Sequence, residues 1–317
     1  MGALSGLETL VRMWRPLAQR LSSTVLTLFM VSVLVFFALR LAPGGPFDTD
    51  RVLPPEIMAA IAAKYHLDDS LWTQFWSWFS GALHGDFKES FQYLGTPVSE
   101  MIWESLPISM VTGGISLVLA MVLGLVLGCS AAWKRGTWWD TSAMWLAISG
   151  VNLPAYLMAS ALILIFSTWL NLLPPALYEG PVSLVLPILT LSLRPIAIVA
   201  RLTRSAMMEA LSADYIRTAY GKGLSEGTVV FKHALRNSMI PIVALLGPIA
   251  ANLITGSFVV ETVFQIPGLG RYFVSAVLNR DYPLVMGVTM VYGAILLLCN
   301  FASEVATTWV DPRMRYQ

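Results

Sequence analysis

Few residues in this 317-residue chain could do covalent chemistry, and their spacing argues against it. His66 and His84 stand eighteen positions apart, without the close ligand spacing that makes a metal site. Cys129 and Cys299 lie inside long apolar runs, where a thiol behaves as a small hydrophobe. Gly221-Lys222-Gly223 lacks both the spacing and the hydroxyl of a G-x-x-x-x-G-K-S/T phosphate loop. H-E-x-x-H and G-x-S-x-G are absent. No two apolar segments carry facing aspartates, and none holds the dense carboxylates that a proton-driven carrier often has. What remains is recognition chemistry, concentrated between Leu202 and Asn237.

That stretch reads as helix, tight turn, helix. Ser212 is placed to cap a helix from Ala213 to Lys222, with Asp214 in its first turn and Lys222 in its last complementing the dipole. Gly223 stands where a left-handed stop is expected, followed by apolar Leu224. Ser225 is placed to cap a second helix bearing Val229, Val230 and Phe231. The first helix offers Tyr215, Ile216, Ala219 and Tyr220, with Arg217 and Lys222 at its margins. Tyrosine and arginine around small residues suit a helix that fills a groove on another protein. The stretch's cations also serve topology, but topology needs neither caps, nor a glycine stop, nor two tyrosines. A docking site is therefore the favoured reading.

Other polar residues sit where lipid would exclude them. Arg194, just before Pro195, lies in the middle of an apolar run. Such a cation faces a bundle interior or a wet cavity. It either lines a pathway and meets an anionic group, or forms an internal ion pair or snorkels. Asn252, Thr255, Gly256, Ser257, Asn300 and Glu304 read as a polar inner surface or as interhelical glue. Gly124 and Gly128 allow another backbone to come close. Glu261 to Gly270, turning at Pro267-Gly268, reads as a loop folded back at the outer mouth.

These residues need a membrane to position them. Apolar residues make up 56% of the chain and charged ones 12%, and the mean hydropathy is +0.68. An ordinary soluble domain carries roughly 25% charge, so soluble enzymes, disordered regulators and nucleic-acid binders are disfavoured together. The net charge of +1 offers no field for a polyanion. Uncharged runs at Leu21–Leu39, Ser105–Trp133, Thr141–Tyr178, Asn237–Val260 and Tyr282–Ser303 each reach about the length of a membrane helix. A sixth, Val182–Ala200, is interrupted by Arg194. The expected fold is all-α and polytopic, with six spans at 21–41, 107–133, 142–170, 182–201, 238–260 and 283–305. Between them lie an extracytoplasmic helical insertion at 42–106, a cytoplasmic loop at 202–237 and an outer loop at 261–282. Thirteen Lys and Arg, with Arg201 counted at the edge of the fourth connection, fall in 1–20, in the second and fourth connections and in 306–317, which puts both termini in the cytoplasm. The insertion carries three cations and nine acids. It begins with a Pro43-Gly44-Gly45-Pro46 turn and holds a short helix from Pro54 to Tyr65. A second helix, capped by Ser70, places Trp72, Trp76 and Trp78 at the headgroup level. The first run is longer than a signal-peptide core and lacks a good cleavage site, so it reads as a retained anchor.

Several stretches together resemble a known family. Tyr215-Ile216-Arg217-Thr218-Ala219-Tyr220-Gly221-Lys222-Gly223-Leu224, followed by His233-Ala234-Leu235-Arg236-Asn237, is similar to the coupling loop of binding-protein-dependent ABC importer permeases. More narrowly it resembles the B-type permease of the dipeptide/oligopeptide family. Arg40-Leu41-Ala42-Pro43-Gly44, Leu83-His84-Gly85-Asp86-Phe87, Pro267-Gly268-Leu269-Gly270 and Asn279-Arg280-Asp281-Tyr282-Pro283 extend the likeness along the chain. Pro54-Pro55-Glu56 with Lys64-Tyr65-His66-Leu67-Asp68 is most similar to the oligopeptide branch. Arg217-Thr218-Ala219 departs from the Glu-Ala-Ala of the general motif, as peptide permeases do. Lys88-Glu89 stands where a glycine is usual, and Arg194 is foreign to the pattern.

The resemblance implies the type I ABC importer permease fold and a place in a bacterial inner membrane. It implies a second, C-type permease, two ABC ATPases that hold ATP and Mg, an extracytoplasmic peptide-binding protein and peptide cargo. No cofactor, metal or catalysis is expected in this chain. Asp214, Tyr215, Arg217, Thr218, Ala219, Lys222, Gly223 and Leu224 would couple to an ATPase. Arg194, Asn252, Thr255, Ser257 and Asn300 would line the pathway. Glu261, Pro267, Gly268, Arg280 and Asp281 would form an outer gate. Nickel complexes, glutathione or antimicrobial peptides are alternative cargoes. A membrane enzyme with an unrecognised site and a non-transporting scaffold are alternatives of another class.

Overall fold

In lipid a segment must close its own backbone hydrogen bonds, so uncharged apolar runs become helices. The computed structural model describes residues 2–42, 44–47, 56, 60 and 63–310. Helix α1 is Gly2–Leu41, α2 is Leu71–Leu83 and α3 is Val98–Trp133. Trp138–Asn152 is α4, and Ala155–Leu162 is α5, which continues as a π-helix, Ile163–Trp169. A 3-10 turn at Pro181–Leu184 leads into α6, Val185–Ser212, and α7 is Asp214–Gly221. Helix α8, Leu235–Ile254, follows without a break from Glu226–Thr228 and a π segment, Val229–Ala234. Three more follow: α9 Phe258–Val263, α10 Leu269–Leu278 and α11 Tyr282–Val310. The described residues form no β-strand, only one isolated bridge between Glu89 and Pro97.

Five helices are long and apolar enough to cross a membrane, or six if one bent pair counts as a single crossing. That pair corrects the third expected span. The run read as one helix over 142–170 bends by 108° between Trp138–Gly150 and Ala155–Trp169. Pro154 is the cause. It lacks an amide hydrogen and drives the residue before it out of helical geometry. Leu153 accordingly sits at φ −79, ψ 128. The crossing that Arg194 interrupts is a continuous helix, and half of its apolar window is buried, against 11% for the first crossing.

The connections also differ from expectation. Helix α6 runs on to Ser212 and the fifth crossing begins at Glu226, so α7 is the separate element within 202–237. Residues 261–282 hold the end of α9 and all of α10 rather than a plain loop. Pro43, most of the helix expected from Pro54 to Tyr65, and the tail beyond Val310 lie outside the described residues.

Contacts divide the chain into two units, Met1–Trp103 with Phe273–Ala294, and Glu104–Tyr272 with Ile295–Gln317. In the first unit, α2 is capped as expected: Ser70 Oγ accepts the Thr73 amide at 3.2 Å. Its Phe75 meets Phe36 edge-on at 5.3 Å, and Phe79 meets Phe29 at 5.3 Å. Both partners belong to the apolar window Ser22–Leu41. Helix α2 therefore packs alongside that window. In the second unit, glycines set helix spacing. A Cβ on Gly124 would lie 2.7 Å from the Val199 Cβ, and one on Gly128 2.5 Å from the Thr203 Cβ. These α3 glycines hold α6 at backbone contact, as the Gly-x-x-x-Gly spacing allows.

Candidate functional site

Helix α7 is shorter than the dozen or so residues that a helix needs to persist alone. Two features hold it. Ile216 and Ala219, three positions apart and so on one face, are buried with Cys129, Ala132, Met207, Val229, Val230 and Ala234. Its C-terminus is closed by paired bonds: the Leu224 amide donates to the Ala219 carbonyl at 3.3 Å, and the Gly223 amide to that of Tyr220 at 2.9 Å. This is a Schellman closure, which needs a left-handed residue, and Gly223 supplies it at φ +78.

Its N-terminus differs from expectation. Ala213, extended at φ −74 and ψ 152, takes the cap position without a side-chain bond. Ser212 instead donates to the Glu209 carbonyl within α6 at 2.7 Å. Ser225 does take the cap position of the next helix, but its hydroxyl meets Thr228 Oγ1 at 2.9 Å.

With Ile216 and Ala219 inward, the other side chains face out. Tyr215, Tyr220 and Leu224 are 39%, 47% and 37% exposed, unusual for such large groups. Asp214, Arg217, Thr218, Lys222 and Gly223 are exposed too. Arg217 lies 3.5 Å from Asp214, in water on both sides, where such a pair contributes little.

The base beneath α7 is stiffened by bonds with no local sequence signal. Arg204 of α6 meets the buried carboxylate of Asp140 with two donors, Nε at 2.6 Å and Nη2 at 2.8 Å. The Gly136 amide adds a third bond at 3.1 Å. Trp133 Nε1 donates to Glu226 at 2.8 Å and its ring meets Phe231 edge-on. These partners are far apart in sequence, so spacing could not reveal them.

The expected pathway residues sit in different local settings. Arg194 is exposed and has no ionic partner among the described residues, so no ion pair with them explains it. Asn252 is exposed as well. Thr255 is buried and donates to its own helix at Ala251, 2.6 Å away. Ser257 caps α9, accepting the Val260 amide. Asn300 Oδ1 is buried without a hydrogen-bond partner.

The outer loop residues also have different partners. Glu261 is only 3% exposed and belongs to α9. It accepts Ser109 Oγ at 2.8 Å and the Arg271 amide at 3.0 Å, while Ser109 Oγ accepts the Leu269 amide at 2.9 Å. Gly268 packs against the Glu261 carboxylate, and Pro267 beside it is half-buried. The segment folds back as the sequence suggests, but around a buried carboxylate. Arg280 and Asp281 fall in the first unit. There Asp281 accepts Ser90 Oγ and the amides of Phe91 and Gln92, and Arg280 donates to the Gly45 carbonyl.

Apolar crossings with a short exposed helix between two of them define an integral membrane component. Residues 122–316 match the family described as binding-protein-dependent transport system inner membrane component, and residues 13–110 match its N-terminal companion. The chain belongs to that family: it is an integral inner-membrane permease component of a binding-protein-dependent transport system.

It is 40% identical over 300 residues to the oligopeptide transport system permease protein OppB of Escherichia coli K12, covering 94% of this chain and 98% of that one. To the dipeptide transport system permease protein DppB of Bacillus subtilis 168 it is 39% identical over 303 residues, covering 96% and 98%. A solved inward-facing MetNI methionine ABC transporter chain matches 67% of this chain and 95% of its own length, at 17% identity and a TM-score of 0.48.

Proposed function

We propose that this permease forms, with a second and related permease, the transmembrane pathway of an importer for short peptides. Two ATPase subunits holding ATP and Mg drive it from the cytoplasm, and an extracytoplasmic binding protein delivers the cargo. Both termini and α7 lie on the cytoplasmic side. The likeness to permeases named for oligopeptide and dipeptide transport supports the cargo.

One observation carries the mechanism. Helix α7 is anchored by Ile216 and Ala219 while Tyr215, Tyr220, Leu224 and two cations remain outward. Aromatic and arginine side chains on a small exposed helix fit a groove on a partner. Its anchor joins α3, α6 and the helix from Glu226. A displacement of α7 by the closing ATPases therefore reaches three membrane helices through packed side chains. Packed helices switch between discrete arrangements rather than deform continuously.

Cysteine at position 220, in a background lacking Cys129 and Cys299, tests the docking. It should crosslink to a copurifying ATPase, with a yield that changes on adding ATP and vanadate. Crosslinking to no nucleotide-hydrolysing subunit, with transport intact, would refute it.

A further inference from the structure

The first unit holds a half-open cavity of about 650 Å³, within the size range of small-molecule sites. Its charges are matched except at two positions. Lys64 pairs with Glu89 at 3.1 Å and Lys88 with Asp86 at 3.6 Å. Arg40 also lines the cavity and has no carboxylate partner among the described residues. Its guanidinium lies 3.4 Å above the Phe36 ring and donates to Gln74 Oε1 at 2.8 Å. Among the described residues, Asp69 is the lining carboxylate without a lysine or arginine, and its charged neighbour is His66 at 3.8 Å. The Gln74 amide spans the two: its oxygen faces Arg40, and its nitrogen donates to the Asp69 carbonyl at 2.9 Å. Trp78 adds a donor. It is 6% exposed, lines the cavity, and its Nε1 has no hydrogen-bond partner.

Among the described residues, one cation without a carboxylate, one carboxylate without a lysine or arginine, an unused donor and aromatic walls complement a small zwitterion with amide carbonyls. We infer that this cavity binds a short peptide directly, its C-terminal carboxylate on Arg40 and its terminal ammonium toward Asp69, with Trp78 Nε1 donating to a peptide carbonyl. The permease would then hold cargo at a station of its own. The inference rests on the peptide reading above. A phosphatidylglycerol headgroup would satisfy Arg40 but leave Asp69 unmatched; a phosphatidylethanolamine headgroup carries both charges, and native mass spectrometry separates it from a peptide.

The transporter, purified in nanodiscs without its binding protein, is titrated calorimetrically with trialanine, N-acetyl-trialanine and trialanine amide. Wild type should bind trialanine best. Arg40→Gln should weaken trialanine roughly tenfold, the worth of one charge-assisted bond, and leave the amide unchanged. Asp69→Asn should weaken trialanine and leave the N-acetyl form unchanged. Its half-exposed side chain keeps this variant foldable if Arg40→Gln fails to fold. Trp78→Phe, which keeps the ring, should weaken all three.

Trialanine affinity unchanged in Asp69→Asn and in any Arg40→Gln protein that folds overturns the site. So does wild type that fails to bind trialanine yet imports it into vesicles once the binding protein is added, which leaves the cargo reading standing. Neither binding nor import overturns both. A phospholipid that native mass spectrometry finds on wild type but not on Arg40→Gln makes the occupant a lipid and overturns the peptide assignment.

Discussion

Helix α7 and helix α2 are both short amphipathic helices, yet they bury opposite kinds of side chain. Helix α2 turns Phe75 and Trp78 inward and gains its hold from aromatic area against α1. Helix α7 turns only Ile216 and Ala219 inward and leaves both tyrosines outside. Aromatic rings hold a helix well once buried, because each removes a large apolar area from water. Leaving them exposed on α7 forgoes that hold, and chain closure at Gly223 makes up part of it. The difference separates a helix built to stay from one that, under the proposed docking, is gripped from outside.

Mutations can break this contrast, in descending order of effect. Phe75→Ala should lower stability most, by about 3–5 kcal/mol, seen as an earlier thermal unfolding in detergent. ATPase copurification should persist in the fraction that folds. Ile216→Ala should cost about 2–3 kcal/mol and also loosen copurified ATPase, because the anchor and the gripped face share one helix. Gly223→Val places a branched residue in left-handed geometry, at about 1–2 kcal/mol. Membrane insertion should survive while pull-down of the ATPase falls sharply. Tyr220→Ala should leave the melting curve within about 0.5 kcal/mol yet reduce peptide uptake several-fold. Equal melting shifts for Phe75→Ala and Tyr220→Ala would erase the distinction.

Elements governed by local rules were legible in the sequence. The spans follow from uncharged runs, and the α7 turn follows from Gly223 and Leu224. The Ser70 cap and the Gly124/Gly128 approach were equally visible. The bend in the third crossing was written in Leu153-Pro154, but a window that counts only charge passes over a proline. The Ser212 cap failed because the hydroxyl found a nearer carbonyl in its own helix. The lock of Glu261 on Ser109 and the Asp140–Arg204 pair join residues far apart along the chain. No periodicity encodes such partners. The same holds for Arg40 and Asp69, whose isolation becomes visible only once their neighbours are in place.

The aromatic ladder between α2 and α1 has a consequence for the bilayer. Phe36 is 1% exposed on one side of the first crossing, while Leu26 and Leu34 are 60% and 68% exposed. One flank of that helix is upholstered by its own polypeptide, and the other is left bare for acyl tails or a sister subunit. Any assembly through the first crossing must therefore use the bare flank, which fixes the rotational setting of the helix before a neighbour arrives.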